Sequence, residues 1–244
     1  MTVAAVLFDF YGTLAHATSW GPSYEEVLAE HGVTLTDDVR RRWVSDAFDG
    51  LEHVEHSVDR DAYVAWEKGR LVEMVVGCGV GADDAARLAD DLWVAGKQWS
   101  LQAFPETVAV LEELRRRSIG VVVCSNWDWD LDRALDAADL LPCIDVWVTS
   151  AQAGARKPHR RIYDETLRVA GGVAADDVVF VGDSWHADVE GPLAVGMTAV
   201  HVRRPDDRRD VPADDALPPG AHRVADLRGV LDLVLSDSCE ESAL

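Results

Sequence analysis

Val3-Ala4-Ala5-Val6-Leu7-Phe8-Asp9-Phe10-Tyr11-Gly12-Thr13-Leu14 is an apolar run that ends on a carboxylate and then turns at Gly12-Thr13. An unbroken run from Val3 to Phe8, without polar alternation, suits a parallel strand buried on both faces. Ligands of open α/β sheets gather at the carboxyl ends of the strands. Asp9 therefore sits where a carboxylate can serve as a nucleophile. The stretch alone leaves a second reading open, in which Asp9 only caps the next turn.

Downstream, from Phe104-Pro105 onward, apolar strand-like runs alternate with helical periodicity. Helices are expected over Glu106–Arg117, Leu131–Ala138 and Arg161–Ala170, and a helical turn or helix, interrupted by Gly191-Pro192, over Ala187–Val195. Strands are expected over Val121–Cys124, Ile144–Thr149, Val178–Val181 and Ala199–Val202. A closing helix is expected over Asp226–Leu235, after an Asp-, Arg- and Pro-rich loop at 205–220. Alternating strand and helix predict an α/β fold, a doubly wound Rossmann-like parallel sheet.

Residues 15–100 read differently. They show helical periodicity and no convincing strand, with helices expected around Tyr24–His31, Val39–Val54 (Trp43, Ala47, Phe48 and Leu51 on one face), Tyr63–Val76 and Ala82–Trp99. The expected organisation is a core of residues 1–14 and 101–235, an inserted helical cap domain of 15–100, and a tail of 236–244.

The chain has 244 residues, 48% of them hydrophobic, with a formal charge of -21. That charge argues against nucleic acid as a partner and requires a local positive site for any anionic substrate. No apolar run is long enough to span a membrane, and no basic segment precedes an apolar one at the N-terminus. Cys78, Cys124, Cys143 and Cys239 form no CxxC pair and read as reduced thiols. A cytoplasmic protein acting on a small molecule is expected; oligomeric state is not readable. Of 23 basic residues only Lys68, Lys97 and Lys157 are lysines. A lysine kept among so many arginines points to a role that a guanidinium cannot fill.

Four strand ends carry polar groups: Asp9 with Thr13, Ser125, Lys157 in the loop Ala155-Arg156-Lys157-Pro158, and Asp183 with Asp188. In a parallel sheet these ends share one edge. A hydroxyl and an ammonium beside a nucleophilic carboxylate can bind phosphoryl oxygens. Carboxylates packed together need a cation among them, and Mg²⁺ prefers hard oxygen ligands.

The motifs Asp9-Phe10-Tyr11-Gly12-Thr13, Ser125-Asn126, Lys157-Pro158 and Gly182-Asp183-Ser184-Trp185-His186-Ala187-Asp188, in this order, resemble those of the haloacid dehalogenase superfamily. The resemblance implies a Rossmann-like core, an Asp9 nucleophile and a covalent aspartyl intermediate hydrolysed by water. It implies catalytic roles for Asp9, Tyr11, Thr13, Ser125, Asn126, Lys157 and Asp188. It also implies a Mg²⁺ ion held by Asp9, Asp183 and the Tyr11 carbonyl.

The resemblance departs at Tyr11, where phosphatases of the family carry an Asp that protonates the leaving alkoxide. Metal-free L-2-haloacid dehalogenases carry Tyr there, and Arg40 to Arg42 falls where they place a cap arginine at the substrate. Those dehalogenases, however, have small neutral residues where this chain has Asp183 and Trp185. The expected activity is Mg²⁺-dependent hydrolysis of a phosphate monoester. Haloacid dehalogenation is the first alternative and a ligand-binding relative without turnover the second. Gly12, Arg40, Trp127, Trp185 and His186 are the candidate substrate-binding residues. Asp128 and Asp130 read as exposed loop or N-cap residues, and the arginines between Arg203 and Arg209 as surface partners of neighbouring Asp.

Overall fold

A computed structural model of the chain describes residues 3–45, 50–207, 209 and 211–236. Its strands are β1 (Ala5–Phe8), β2 (Ala15–Trp20), β3 (Trp99–Ala103), β4 (Gly120–Ser125), β5 (Val146–Thr149), β6 (Val178–Gly182), β7 (Thr198–Val202) and β8 (Ala221–Val224). All but β2 and β3 form one six-stranded sheet in the order β5-β4-β1-β6-β7-β8, every neighbouring pair parallel. The chain leaves β1 toward β4 and β5, then returns to its other side with β6. β1 is thus the switch point of a doubly wound sheet, where such folds place their ligands.

Side-chain alternation along β1 feeds both faces. Val6 and Phe8 join Val121 and Val123 under α5 (Thr107–Arg116), α6 (Leu131–Ala137) and α10 (Arg228–Ser236). Ala5 and Leu7 join Val122 and Phe180 under α8 (Arg160–Val169), through Ile162 and Tyr163. Burial on both sides explains the unbroken apolar run at the start of the chain.

Between β2 and β3 lie α1 (Tyr24–Glu30), α2 (Asp37–Arg40), α3 (Arg60–Gly77) and α4 (Ala82–Ala95). Their core is a third cluster, built on Leu28, Leu71, Met74, Val75, Leu88 and Leu92, and no sheet residue belongs to it. Fully burying one such side chain is worth about 1.5–3 kcal/mol. The helix starts follow local chemistry: Ser23 and Glu26 make a reciprocal capping box at α1, and Asp59 accepts from the Ala62 amide at α3.

Several expectations are corrected. Residues 15–100 are not strandless: β2 and β3 form an antiparallel ribbon, Ala15 opposite Ala103 and Trp20 opposite Trp99, at the two ends of the helical block. The segment Ala15-His16-Ala17-Thr18-Ser19-Trp20 is half exposed and poor in branched apolar residues, so it lacks a strand signature. α4 stops at Ala95, before Gly96, and Trp99 belongs to the ribbon rather than the helix. No single helix covers 39–54. α2 passes into a π-helical turn, Arg41–Ser45, and Gly50 (φ +63°) precedes an isolated bridge from Glu52 to Ala155. Ala47 and Phe48 lie outside the described residues, as do residues 237–244 of the expected tail. β8 was not expected, because Ala221-His222-Arg223-Val224 has no apolar run; among the described residues it is an edge strand paired only with β7. A short helix, α7 (Ser150–Ala153), was also missed. A Thr149–Gln152 capping box starts it and Gly154 (φ +73°) ends it. The helical turn or helix expected over 187–195 is present as a π-helical turn, Trp185–Glu190, followed by α9 (Gly191–Ala194), which runs through Gly191-Pro192 rather than being interrupted there. Among the described residues no helix is long and apolar enough to cross a membrane.

Candidate active site

β1, β4 and β6 end side by side, and their last residues deliver Asp9, Ser125 and Asp183 to one edge of the sheet. Asp9 is almost buried, and its amide donates to Val181 O at 2.9 Å, tying the end of β1 to β6. Its Oδ1 accepts from Ser125 Oγ at 3.0 Å and from Lys157 Nζ at 2.8 Å. Lys157, only 2% exposed, also donates to Asp188 Oδ1 at 2.6 Å and to Cys124 O at 3.0 Å. Asp188 Oδ2 accepts from the Ser184 amide at 2.9 Å.

The loop carrying Lys157 is held from two sides. Asn126 Oδ1 accepts from the Lys157 amide at 2.7 Å, and Asn126 Nδ2 donates to Lys157 O at 3.1 Å. From the helical block, the His53 amide donates to Gly154 O at 2.7 Å, and Leu51 O accepts from the Arg156 amide at 2.9 Å. Gly12 adopts φ +89°, and a Cβ there would lie 2.3 Å from Asp183 Oδ2, so only glycine fits.

One oxygen each of Asp9, Asp183 and Asp188 lie within 4.8 Å of one another. Burial pushes the Asp183 carboxyl up, Asp9 adds to the push, and Arg209 opposes it. Burial likewise raises Asp188 against the pull of Lys157. Burial also works against the Lys157 charge, but Asp188 and Asp9 hold its pKa well above the ordinary lysine range. Three carboxylates face two cations, Lys157 and Arg209, so the cluster keeps a surplus negative charge on hard oxygen donors. That chemistry fits a divalent cation.

Thr13 is fully buried, and its Oγ1 has no hydrogen-bond partner among the described residues. Trp127 packs edge-on against Phe10, with ring centroids 5.3 Å apart. Tyr11 is 38% exposed and meets the Trp20 ring at 5.5 Å. Arg40 is not brought to this edge: it pairs with Glu25 within the helical block. Trp185 and His186 turn to the same carboxylate instead, Trp185 Nε1 donating to Glu190 Oε1 at 2.9 Å and His186 Nδ1 lying 2.6 Å from Glu190 Oε2.

Other residues were missed. Arg209 pairs with Asp207 as expected, but it also donates to Asp183 Oδ2 at 3.0 Å, so it is not merely a surface charge. Asp128 lies in the loop after β4 and Asp130 is the N-cap residue of α6, as expected, but both also pair across the cleft, with Lys97 and Arg60 of the helical block. Arg60 is bidentate, at 2.8 and 2.5 Å. Behind Asp183, Arg223 Nε donates to His201 Nδ1 at 3.1 Å, which leaves Nε2 to donate to Asp183 O at 3.2 Å. Burial, with Arg223 second, lowers His201 to about 4, so the ring is neutral. The rarity of lysine could have flagged Lys97; no sequence pattern marks His201.

Between the helical block and the sheet edge lies a cavity of about 390 Å³. Asn126, Trp127, Lys97 and Arg156 line it, beside the residues that carry Ser125 and Lys157.

A family model of haloacid dehalogenase-like hydrolases matches residues 3–196. The chain belongs to that family. A phosphatase of Mycobacterium tuberculosis is 30% identical over 218 residues, 86% of this chain and 92% of that protein. Phosphoserine phosphatase of Thermus thermophilus is 35% identical over 175 residues, 70% of this chain and 67% of the relative. A 2-haloacid dehalogenase structure from Pseudomonas syringae superposes with a TM-score of 0.59 at 24% identity, covering 96% of this chain and 99% of that one. The last likeness concerns the fold alone. This haloacid dehalogenase-like chain is therefore a hydrolase with an α/β Rossmann-like sheet.

Proposed function

We propose that the protein hydrolyses a small-molecule phosphate monoester with the help of Mg²⁺, through an aspartyl phosphate on Asp9. The observation that carries the reading is the cluster of Asp9, Asp183 and Asp188 around a Lys157 shared by Asp9 and Asp188. Two relatives at or above 30% identity being phosphatases supports it. Asp9 and Asp183, with the Tyr11 carbonyl, are the ligands we assign to the metal. When bound there, Mg²⁺ neutralises charge that collects on phosphoryl oxygens.

Asp9 Oδ1 is held by Ser125 and Lys157, which leaves Oδ2 for attack on phosphorus. The Asp9 O–P bond forms as the bond from phosphorus to the leaving oxygen breaks. Ser125 Oγ and Lys157 Nζ stand where they orient the nucleophile and counter the charge of the transferring group. Water then attacks the aspartyl phosphate, releasing inorganic phosphate and restoring Asp9. Residues 15–100, with their own core, act as a cap that excludes bulk water. Position 11 holds a phenol in place of the carboxylic acid that would protonate the leaving group, so the departing oxygen leaves as the anion and takes its proton from water.

Tyr11 also favours one other reading, haloacid dehalogenation, in which the leaving halide needs no proton. A screen of phosphate esters and 2-haloacids with and without Mg²⁺ separates the two. Phosphate release should need Mg²⁺, stop with EDTA, and fall by about 10²-fold or more in Asp183→Asn. Dehalogenation that persists in excess EDTA, without phosphate release in Mg²⁺, would reverse the assignment.

A further inference from the structure

The cavity between helical block and sheet is walled by aromatic rings. Trp20, Trp93, Trp99, Trp127, Tyr24 and Tyr63 all line it. Four of the chain's nine tryptophans thus surround one space. They come from separate parts of the fold: Trp20 and Trp99 from the ribbon, Trp93 from α4, and Trp127 from the loop after β4. No single helix face or strand pattern gathers them.

Two of these rings lead directly to the nucleophile. Trp127 packs on Phe10, the residue after Asp9, and Trp20 packs on Tyr11. Trp20 is 56% exposed, and its partner Tyr11 is exposed as well. A tryptophan left this open adds little to a core, but it makes a flat platform for a ligand ring. Glu67, Lys97, Asn126, Asp128 and Arg156 also line the wall, and most of these polar groups are engaged with other protein groups: Tyr63 Oη donates to Glu67 Oε1 at 3.0 Å, Lys97 pairs with Asp128, and Asn126 binds the Lys157 backbone, so the rings are left as the wall's open faces. The cavity's volume suits a single ring with its substituents.

We propose that the substrate is a phosphate monoester whose leaving group carries a flat aromatic or heteroaromatic ring, seated among these tryptophans while its phosphate lies at Asp9. This rests on the phosphohydrolase reading above. The reaction balances as already written, with Asp9 Oδ2 taking the phosphoryl group. The ring-bearing leaving group departs on its own oxygen and is protonated by water.

Four esters separate recognition of the ring from leaving-group chemistry. Phenyl phosphate and benzyl phosphate carry a ring; acetyl phosphate and glycerol 3-phosphate do not. Phenyl and acetyl phosphate have good leaving groups; the other two have poor ones. With Mg²⁺ present, KM should follow the ring and kcat the leaving group. KM should be lower by about tenfold or more for the two ring-bearing esters. Trp20→Ala and Trp93→Leu should each raise KM for these two about tenfold and leave the other two in place. Trp20 is exposed enough that its loss keeps the fold, so it carries the test should Trp93→Leu unfold. Equal KM with and without a ring, or variants that raise all four alike, overturns the proposal. Turnover of none of the four would end the phosphohydrolase reading instead. Calorimetry with phenylphosphonate and methylphosphonate then still reads the cavity, and equal affinity for the two overturns the ring site by itself.

Discussion

Lys157 uses every proton of its ammonium, on Asp9, Asp188 and the Cys124 carbonyl, all within 3.0 Å. A guanidinium is planar and wider, and it cannot present three donors from one atom. Lys157→Arg should therefore keep the fold and lose about 10²-fold or more in kcat, measured on phenyl phosphate beside a melting curve. An Arg variant with full activity would show that charge alone suffices. At this scale the sequence was largely legible. Asp9, Ser125, Lys157, Asp183 and Asp188 each end or follow a strand, and a parallel sheet must bring such ends to one edge. Arg40 was misplaced because a residue in a helical insertion has no such constraint. Its pairing with Glu25 depends on how α1 and α2 pack together. His201 and Arg223 could not be read either, since their contact spans two strands whose register no local pattern announces.

The elements around the cleft are joined by ions as well as by chain. Arg60 at the start of α3 grips Asp130, and Lys97 after α4 meets Asp128, so the loop following β4 holds the helical block at two points. Both partners of the Arg60–Asp130 pair are substantially exposed, and such pairs are worth about 0–1 kcal/mol. Arg60→Ala should accordingly shift stability by less than about 1 kcal/mol but raise KM about two- to fivefold, as the closed cleft becomes less populated. An unchanged KM would mean that the pair does not hold the cleft shut. The same elements show where reading by pattern stops. Buried strands and long amphipathic helices were legible from their periodicity. The ribbon of β2 and β3, the edge strand β8 and the four-residue α7 were not. They owe their shape to partners distant in sequence or to caps, and they bury too little to leave a periodic trace.

For the whole molecule, acid is the condition that strikes core and helical block together. His53, in the block, is lowered to about 4 by burial, with Arg156 second. His201, behind the site, is lowered to about 4 by burial and Arg223. The unfolded chain takes up these protons near 6.5, whereas the folded chain resists them until about 4. These two histidines take stability away as pH drops from about 6.5 toward 4, while Asp188, raised to about 7 by burial, takes up a proton in the folded chain over the same window and opposes the loss. The melting temperature of His201→Gln should therefore change in a more favourable sense than that of the wild type as pH drops from about 6.5 to 4; a slope unchanged in the variant would remove His201 from the account. The central claim, that Asp9 carries the phosphoryl group, has a more direct test. Phenyl phosphate turned over in Mg²⁺ should be quenched in acid and the digested protein weighed by mass spectrometry. The account predicts one added phosphoryl group on the peptide containing Asp9, absent in EDTA and absent in Asp9→Ala. Phosphate release with the adduct on another residue, or from Asp9→Ala at the wild-type rate, would contradict it.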